Sequence, residues 1–174
     1  SSDRLTTLPG IGGVCDSTVS ALSLPNLPLP DASAAMRRAR VCIVSSEFVG
    51  LFRNGGIGTA STSLGEALAR AGHEVTFLYT RRQPIENEML DHWVAHYAAK
   101  GIRLVSLATV ETVPVQGPWY VKNAYQVYEW LRRNQDFDVV HFPEMLGLGY
   151  YALLAKRQRM AFEGTALCVG IHSP

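Results

Sequence analysis

From residue 40 onward, short apolar runs rich in β-branched residues alternate with longer stretches whose apolar positions recur every three to four residues. The short runs predict buried strands and the longer stretches predict helices. Strands are predicted at 41–45, 74–79, 102–107, 137–142 and 166–171. Strands alternating with helices in this way form right-handed βαβ units. The pattern therefore predicts an α/β fold, a Rossmann-like parallel sheet with helices on both faces.

The helices fill the gaps between these runs. One begins near Thr59 with the stripe Ala60, Leu64, Ala67, Leu68 and Ala71, and Gly72 supplies its end. A second stripe is Met89, Leu90, Trp93, Val94 and Tyr97. A third helix opens at Pro118 and presents Val121, Ala124, Val127, Tyr128 and Leu131. The fourth covers residues 148–159.

The first part of the chain has a different composition. Residues 24–30 alternate leucine with proline, which suits neither a helix interior nor a central strand. We therefore expect residues 1–38 to form a proline-rich arm or linker and residues 39–174 to form the domain.

Composition narrows the class of protein. With 174 residues, 47% apolar residues and a net charge of +1, the chain fits one globular domain without the basic surface that nucleic acid requires. No apolar run is long enough to cross a bilayer, and no cysteine spacing suggests a metal site. Cys42 and Cys168 lie in apolar runs and are expected to be buried free thiols. These features favour a cytoplasmic protein without a bound metal.

The strongest candidate for a ligand-binding site is one glycine-rich segment, Arg53-Asn54-Gly55-Gly56-Ile57-Gly58. Glycines let the backbone approach a ligand closely, and a helix that starts just after them points unpaired N–H groups at the same place. Arg53 adds a positive charge. This combination is typical of a site for a phosphate or pyrophosphate. The alternative is that the glycines only shape a turn.

The same glycines suggest a second kind of site, the glycine fingerprint of dinucleotide-binding domains. That fingerprint needs a third glycine where this chain has Ser61, a tight turn directly after the strand, and an acidic residue ending the second strand. Here residues 47–54 intervene, and the second strand ends in Arg81-Arg82. These arginines disfavour NAD but could meet the additional phosphate of NADP. An NADP-type domain therefore remains the alternative.

The segment from Val41 to Tyr79 resembles the start of the glycogen and starch synthase-like glycosyltransferases of family 4. In that family a strand ends in Ser-Glu, a loop follows, and a Lys-Thr-Gly-Gly-type motif opens the first helix. Arg53 stands at the lysine, Asn54 at the threonine, and Gly55 and Gly56 at the glycines. The resemblance implies the N-terminal half of a GT-B fold, with Arg53, Asn54, Gly55, Gly56 and Gly58 at the donor's pyrophosphate.

Two later segments are similar to the same family. Residues 138–144, D-V-V-H-F-P-E, match the segment that ends the fourth strand, and residues 169–173 match a strand end that carries a histidine beside the donor sugar. The resemblance implies substrate contacts by His141 and Glu144 and a catalytic role for His172. Because His141 ends an apolar strand, the residue pattern favours a core histidine over a ligand there, and Glu144 is equally interpretable as a helix-start carboxylate. Leu146 stands where synthases of this kind carry another histidine.

The function implied is sugar transfer from a nucleotide-diphosphate sugar to a carbohydrate or another hydroxyl acceptor, with retained anomeric configuration. No tightly bound cofactor is implied. The second GT-B domain, which binds most of the nucleotide, is expected to follow these 174 residues, so the fragment alone is expected to be inactive. A non-catalytic binding module derived from such an enzyme is the other alternative. Trp119, Tyr120, Tyr125 and Trp130 are expected to serve packing rather than sugar stacking.

Overall fold

The computed structural model describes residues 37–51, 55–81 and 87–171. The strands are β1 Arg40–Ser45, β2 Glu74–Tyr79, β3 Ile102–Ser106, β4 Val139–Pro143 and β5 Ala166–Gly170. The α-helices are α1 Gly56–Arg70, α2 Asn87–Ala98, α3 Trp119–Arg133 and α4 Tyr150–Arg157. The predicted strands and helices are confirmed, with ends that differ by a few residues. The predicted arm at 1–38 lies almost wholly outside the described residues and stays a prediction.

The five strands form one parallel sheet in the order β3-β2-β1-β4-β5, which confirms the Rossmann-like α/β prediction. From β1 the chain moves outward through β2 to β3, then returns past β1 to β4 and β5. Because these crossovers are right-handed, α1 and α2 lie on one face and α3 and α4 on the other. Two apolar clusters result, one around Phe77 and Tyr97 and the other around Val127 and Leu131.

Helix α1 packs on the sheet mainly through small residues, together with Leu68 of its predicted apolar stripe. Its buried positions are Gly58, Ser61, Thr62 and Gly65, whereas Ala60 and Ala67 are exposed. A Cβ atom on Gly65 would lie 2.1 Å from Cε1 of Phe77. The large ring below the helix therefore sets which side of α1 can face the sheet, and only glycine fits between them.

The two described cysteines differ in exposure. Cys42 is completely buried in β1, as predicted, and burial raises the pKa of its thiol. Cys168 in β5 is exposed, so the prediction that it is buried is wrong. The physical reason is that β5 forms the edge of the sheet within the described residues, where it pairs with β4 alone.

The aromatic residues of α3 also differ in exposure. Trp130 is buried and supports packing as predicted, and Tyr125 is half-buried. Trp119 and Tyr120 are 65% and 47% exposed, so the expectation that they pack in the core is wrong. They occupy the first turn of the helix, ahead of its buried positions, which begin at Asn123.

Candidate functional site at the carboxyl edge of the sheet

The carboxyl ends of all five strands lie along one edge because the strands are parallel. Ser45, Tyr79 and Ser106 are aligned there in β1, β2 and β3. Pro143 and Gly170 are aligned at the ends of β4 and β5. The loops that follow these strands therefore meet at this edge, where ligands of open parallel sheets bind.

The long loop after β1 is held against α1 and α2. The Val49 amide donates to Oγ1 of Thr62 over 3.0 Å, and the Tyr97 hydroxyl donates to the Val49 carbonyl over 2.7 Å. Phe48 and Leu51 are buried beside these contacts. The described part of this loop, up to Leu51, is therefore held by packing on both helices. Residues 52–54, which include the predicted site residues Arg53 and Asn54, lie outside the described residues.

The predicted glycines open α1. Gly55 is the N-cap residue, and the helix starts at Gly56 rather than near Thr59, so Gly55, Gly56 and Gly58 all lie at its N-terminus. The first amides of an α-helix have no acceptor within the helix and carry partial positive charge. A Cβ atom on Gly56 would meet nothing within 4 Å, so the described residues leave open space above this turn.

Glu47 braces the same turn. Its carboxylate oxygen Oε2 accepts a hydrogen bond from the Gly55 amide over 3.0 Å, and its own amide donates to Oγ of Ser45 over 3.1 Å. The Thr59 hydroxyl donates to the Gly55 carbonyl over 3.2 Å. The Glu47 carboxylate thus connects the end of β1 to the start of α1.

Arg81 follows β2 at this edge and serves a structural contact. Its Nε donates to the Ser46 carbonyl over 3.2 Å and so ties the end of β2 to the loop after β1. Arg82 lies outside the described residues.

His141 lies within β4, and Glu144 directly follows the last residue of that strand. The Glu144 amide donates to the Gly170 carbonyl over 3.1 Å, which places Glu144 beside the end of β5. His141 is half-buried and aligned with Ile43 on one side and Cys168 on the other. His172, the predicted catalytic residue, lies outside the described residues.

Leu146 follows Glu144 by two positions in a strained conformation. Its φ of 63° is in the left-handed region, which is uncommon for a residue with a branched side chain. The side chain packs against the apolar cluster beneath α3 and α4. A hydrocarbon side chain directed at the core leaves this position without a polar group for a ligand.

A cavity of about 620 Å³ lies at the opposite, amino edge. It is lined by charged residues, of which Arg38 pairs with Glu74 over 3.2 Å and Arg40 with Asp138 over 3.7 Å. Hydrogen bonds from Arg40 to Asp138 lower the pKa of that carboxyl group. Strand ends at this edge do not carry the predicted site residues, so we place the candidate site at the carboxyl edge instead.

Within residues 37–51, 55–81 and 87–171, no three histidine, cysteine or acidic side chains are grouped closely enough to hold a metal ion. None of the helices in these ranges combines the length and the apolar character that crossing a membrane requires.

The fold and the glycine-initiated helix at its carboxyl edge define a Rossmann-like α/β domain with a candidate anion site. Residues 55–174 match the family described as "Glycosyl transferase 4-like domain". The match spans more than half of the chain, and the chain belongs to this family. The family implies a nucleotide-sugar donor.

No curated protein matches the chain. Among solved structures, the chain is similar to the C-terminal domain of a hydrogenase from Pyrococcus furiosus, with 16% identity and a TM-score of 0.44 over 77% of this chain and 93% of that one.

Proposed function

We propose that this domain forms one wall of a sugar-transfer cleft and holds the diphosphate of a nucleotide-sugar at the N-terminus of α1. The observation that supports this best is that no described residue would meet a Cβ atom on Gly56, at a helix end whose first amides have no acceptor within the helix. Neither core packing nor a positive φ explains glycine at this position. A phosphate oxygen close to the backbone does explain it.

In this proposal the departing nucleoside diphosphate gains negative charge as the bond to the sugar breaks. That charge is stabilised by the amides of Gly56 and Gly58. The guanidinium of Arg53 and the side chain of Asn54 contribute as well. Transfer retains the anomeric configuration, as the resemblance implies. The acceptor hydroxyl is bound on the side formed by Glu144, His141 and His172, and His172 is the proposed catalytic residue beside the donor sugar.

The second wall of the cleft is proposed to come from a further domain of a longer protein. A lone N-terminal half would contact the diphosphate but little of the base. We therefore expect weak nucleotide binding and no substantial sugar transfer by the 174 residues alone. Robust transfer by this chain in a radiolabelled-sugar assay would contradict that expectation.

The diphosphate site is tested by titrating the chain with UDP, ADP and GDP and with the corresponding glucose derivatives. Gly56→Val fills the open space, so we expect binding to weaken at least tenfold, about 1.4 kcal/mol. Gly164→Val is the matched control, because a Cβ at that glycine also meets nothing within 4 Å and its φ is not positive. It lies in the loop before β5, at the amino edge.

The outcomes separate the alternatives. Binding that survives both Gly56→Val and Arg53→Ala unchanged would refute the diphosphate site. NADPH binding without affinity for any nucleotide-sugar would support the dinucleotide alternative. Nucleotide-sugar binding by the longer protein without transfer would support a non-catalytic module, for which the apolar Leu146 is the relevant difference.

A further inference from the structure

Three exposed aromatic side chains lie at the carboxyl edge and have no role in the core. Trp119 and Tyr120 begin α3, and Tyr150 begins α4. Their exposed fractions are 65%, 47% and 59%. We call these three residues the aromatic platform.

The topology places the platform beside the candidate site. The chain enters α3 after β3 and α4 after β4, so both helices begin at the carboxyl edge and run in the same direction on the same face. Helices α3 and α4 contact each other, and α3 also contacts the short turn Met145–Gly147. That turn directly follows Glu144, the proposed acceptor contact.

Contacts between rings support the platform residues in two separate groups. The Tyr150 ring meets the Tyr151 ring edge-on at a centroid distance of 5.1 Å, and Tyr151 meets Tyr125 of α3 in the same way at 5.3 Å. Trp119 and Tyr120 meet edge-on at 6.0 Å. Such edge-to-face pairs are favourable, so the exposed rings are positioned before a ligand arrives.

The platform carries little charge. Neither α3 nor α4 has an acidic residue in its first turn, and Lys122 is the basic side chain there. A nearly uncharged aromatic surface suits a ligand that has apolar faces and polar edges. Pyranose rings are of this kind, because their C–H groups stack on aromatic faces while their hydroxyl groups stay in contact with water and with tyrosine hydroxyls.

Asn123 lies one helical turn after Trp119 and Tyr120, on the same side of α3. Its carboxamide oxygen is buried and makes no hydrogen bond within the described residues. Buried acceptors without a donor are uncommon. A hydroxyl group is the kind of donor that would satisfy this oxygen, whereas a hydrocarbon chain offers none.

We propose that the aromatic platform binds the acceptor of the transfer reaction, and that this acceptor is a carbohydrate. The inference rests on the proposed function, which leaves open whether the acceptor hydroxyl belongs to a sugar. The platform orients the acceptor by stacking and takes no part in bond making or breaking. Its residues are therefore binding residues.

The test follows tryptophan fluorescence of the chain during titration with maltoheptaose, cellohexaose and chitohexaose. Trp119 is 65% exposed and Trp130 is 7% exposed, so a bound sugar should shift the emission of Trp119 to shorter wavelength. Trp119→Phe keeps a ring for stacking but removes this signal, which assigns the change to Trp119. The expected result is a saturable shift with at least one oligosaccharide.

Tyr150→Ala should weaken the same binding about tenfold, since it removes one stacking face, whereas Tyr150→Phe should retain it. Met160→Ala is the control, because Met160 is a 70% exposed apolar residue at the opposite end of α4. The inference is overturned if none of the three oligosaccharides shifts the emission. It is also overturned if Tyr150→Ala binds as the parent chain does.

Two further measurements distinguish sugar binding at the platform from lipid binding and from nucleotide binding. Binding to phosphatidylcholine vesicles that requires Trp119, without any response to sugars, would make the surface a lipid site and would overturn the inference. UDP, ADP and GDP titrations of the same variants report on the diphosphate site independently. We expect Tyr150→Ala to leave nucleotide binding intact and Gly56→Val to leave oligosaccharide binding intact, so failure of either proposal is recognised separately.

Discussion

The Gly55 amide donates a hydrogen bond to the Glu47 carboxylate over 3.0 Å, and this contact closes the loop between β1 and α1. The contact gives the first turn of α1 a fixed position relative to the end of β1. The candidate diphosphate site therefore depends on a side chain that need not touch the ligand.

Glu47→Ala should lower the free energy of unfolding by about 1 kcal/mol, because the Gly55 amide loses a charged acceptor near a helix N-terminus. Glu47→Gln keeps an acceptor oxygen and should lose less. Urea denaturation followed by circular dichroism measures both. Equal stability of both variants and the parent chain would show that the contact contributes nothing.

Gly65→Ala should destabilise the domain by about 2 kcal/mol through overpacking, because its Cβ would collide with the Phe77 ring. The matched control is Gly164→Ala, whose Cβ meets nothing within 4 Å. Urea midpoints report the difference. Combining Gly65→Ala with Phe77→Leu should cost less than the sum of the two single changes, and strict additivity would argue against the collision.

The ends of α1 and α4 use the same hydrogen-bond motif with different residues. Gly72 and Arg159 each follow the C-cap residue with a positive φ, of 89° and 58°, and the residue after each bonds back to the helix. Because this conformation disfavours residues other than glycine, Arg159→Gly should stabilise the domain by about 1 kcal/mol and Gly72→Ala should destabilise it by about 1 kcal/mol. Thermal unfolding measures both shifts, and shifts of the same sign would contradict the motif.

Glu129 gives a pH-dependent contribution to stability. Hydrogen bonds from Arg132, at 3.0 and 3.2 Å, lower the pKa of its carboxyl group below the ordinary value of 4.5. A carboxyl group whose pKa is lowered by folding stabilises the fold above its unfolded pKa, and the stabilisation disappears as pH falls through the folded pKa.

Glu129→Gln should therefore cost about 1 kcal/mol at pH 7, given that Arg132 is partly exposed. The difference from the parent chain should be constant from pH 7 to about pH 5 and should shrink below about pH 4.5. Urea denaturation at several pH values provides the measurement. A difference that does not vary down to pH 3 would contradict the linkage.

Maleimide labelling should distinguish the two described cysteines. Cys168 is exposed and should react in the folded protein. Cys42 should react only on unfolding, because burial both blocks access to its thiol and raises its pKa. Peptide mapping by mass spectrometry reads the two sites separately, and rapid modification of Cys42 without denaturant would contradict its burial.

The sequence determined the order of strands and helices because the spacing of apolar residues is a local property. It also placed the glycines of 55–58 at a helix start and Glu144 after a strand. Once the strands are parallel and the crossovers right-handed, both positions fall at one edge of the sheet. The fold class and the edge that carries the site could thus be predicted from the chain alone.

Only the tertiary structure decided which faces are covered. Periodicity marks an apolar stripe on α1, yet Phe77 of β2 makes Gly65 the contact, because a ring leaves no room for a side chain there. Cys168 has an apolar sequence environment but lies in β5, which has no second neighbouring strand in the part of the chain that the structure describes. Trp119 follows the helical spacing of core residues, but it lies in the first turn of α3, before the buried positions begin, and stays exposed. Local pattern selects the element, whereas burial depends on what the rest of the chain places opposite it.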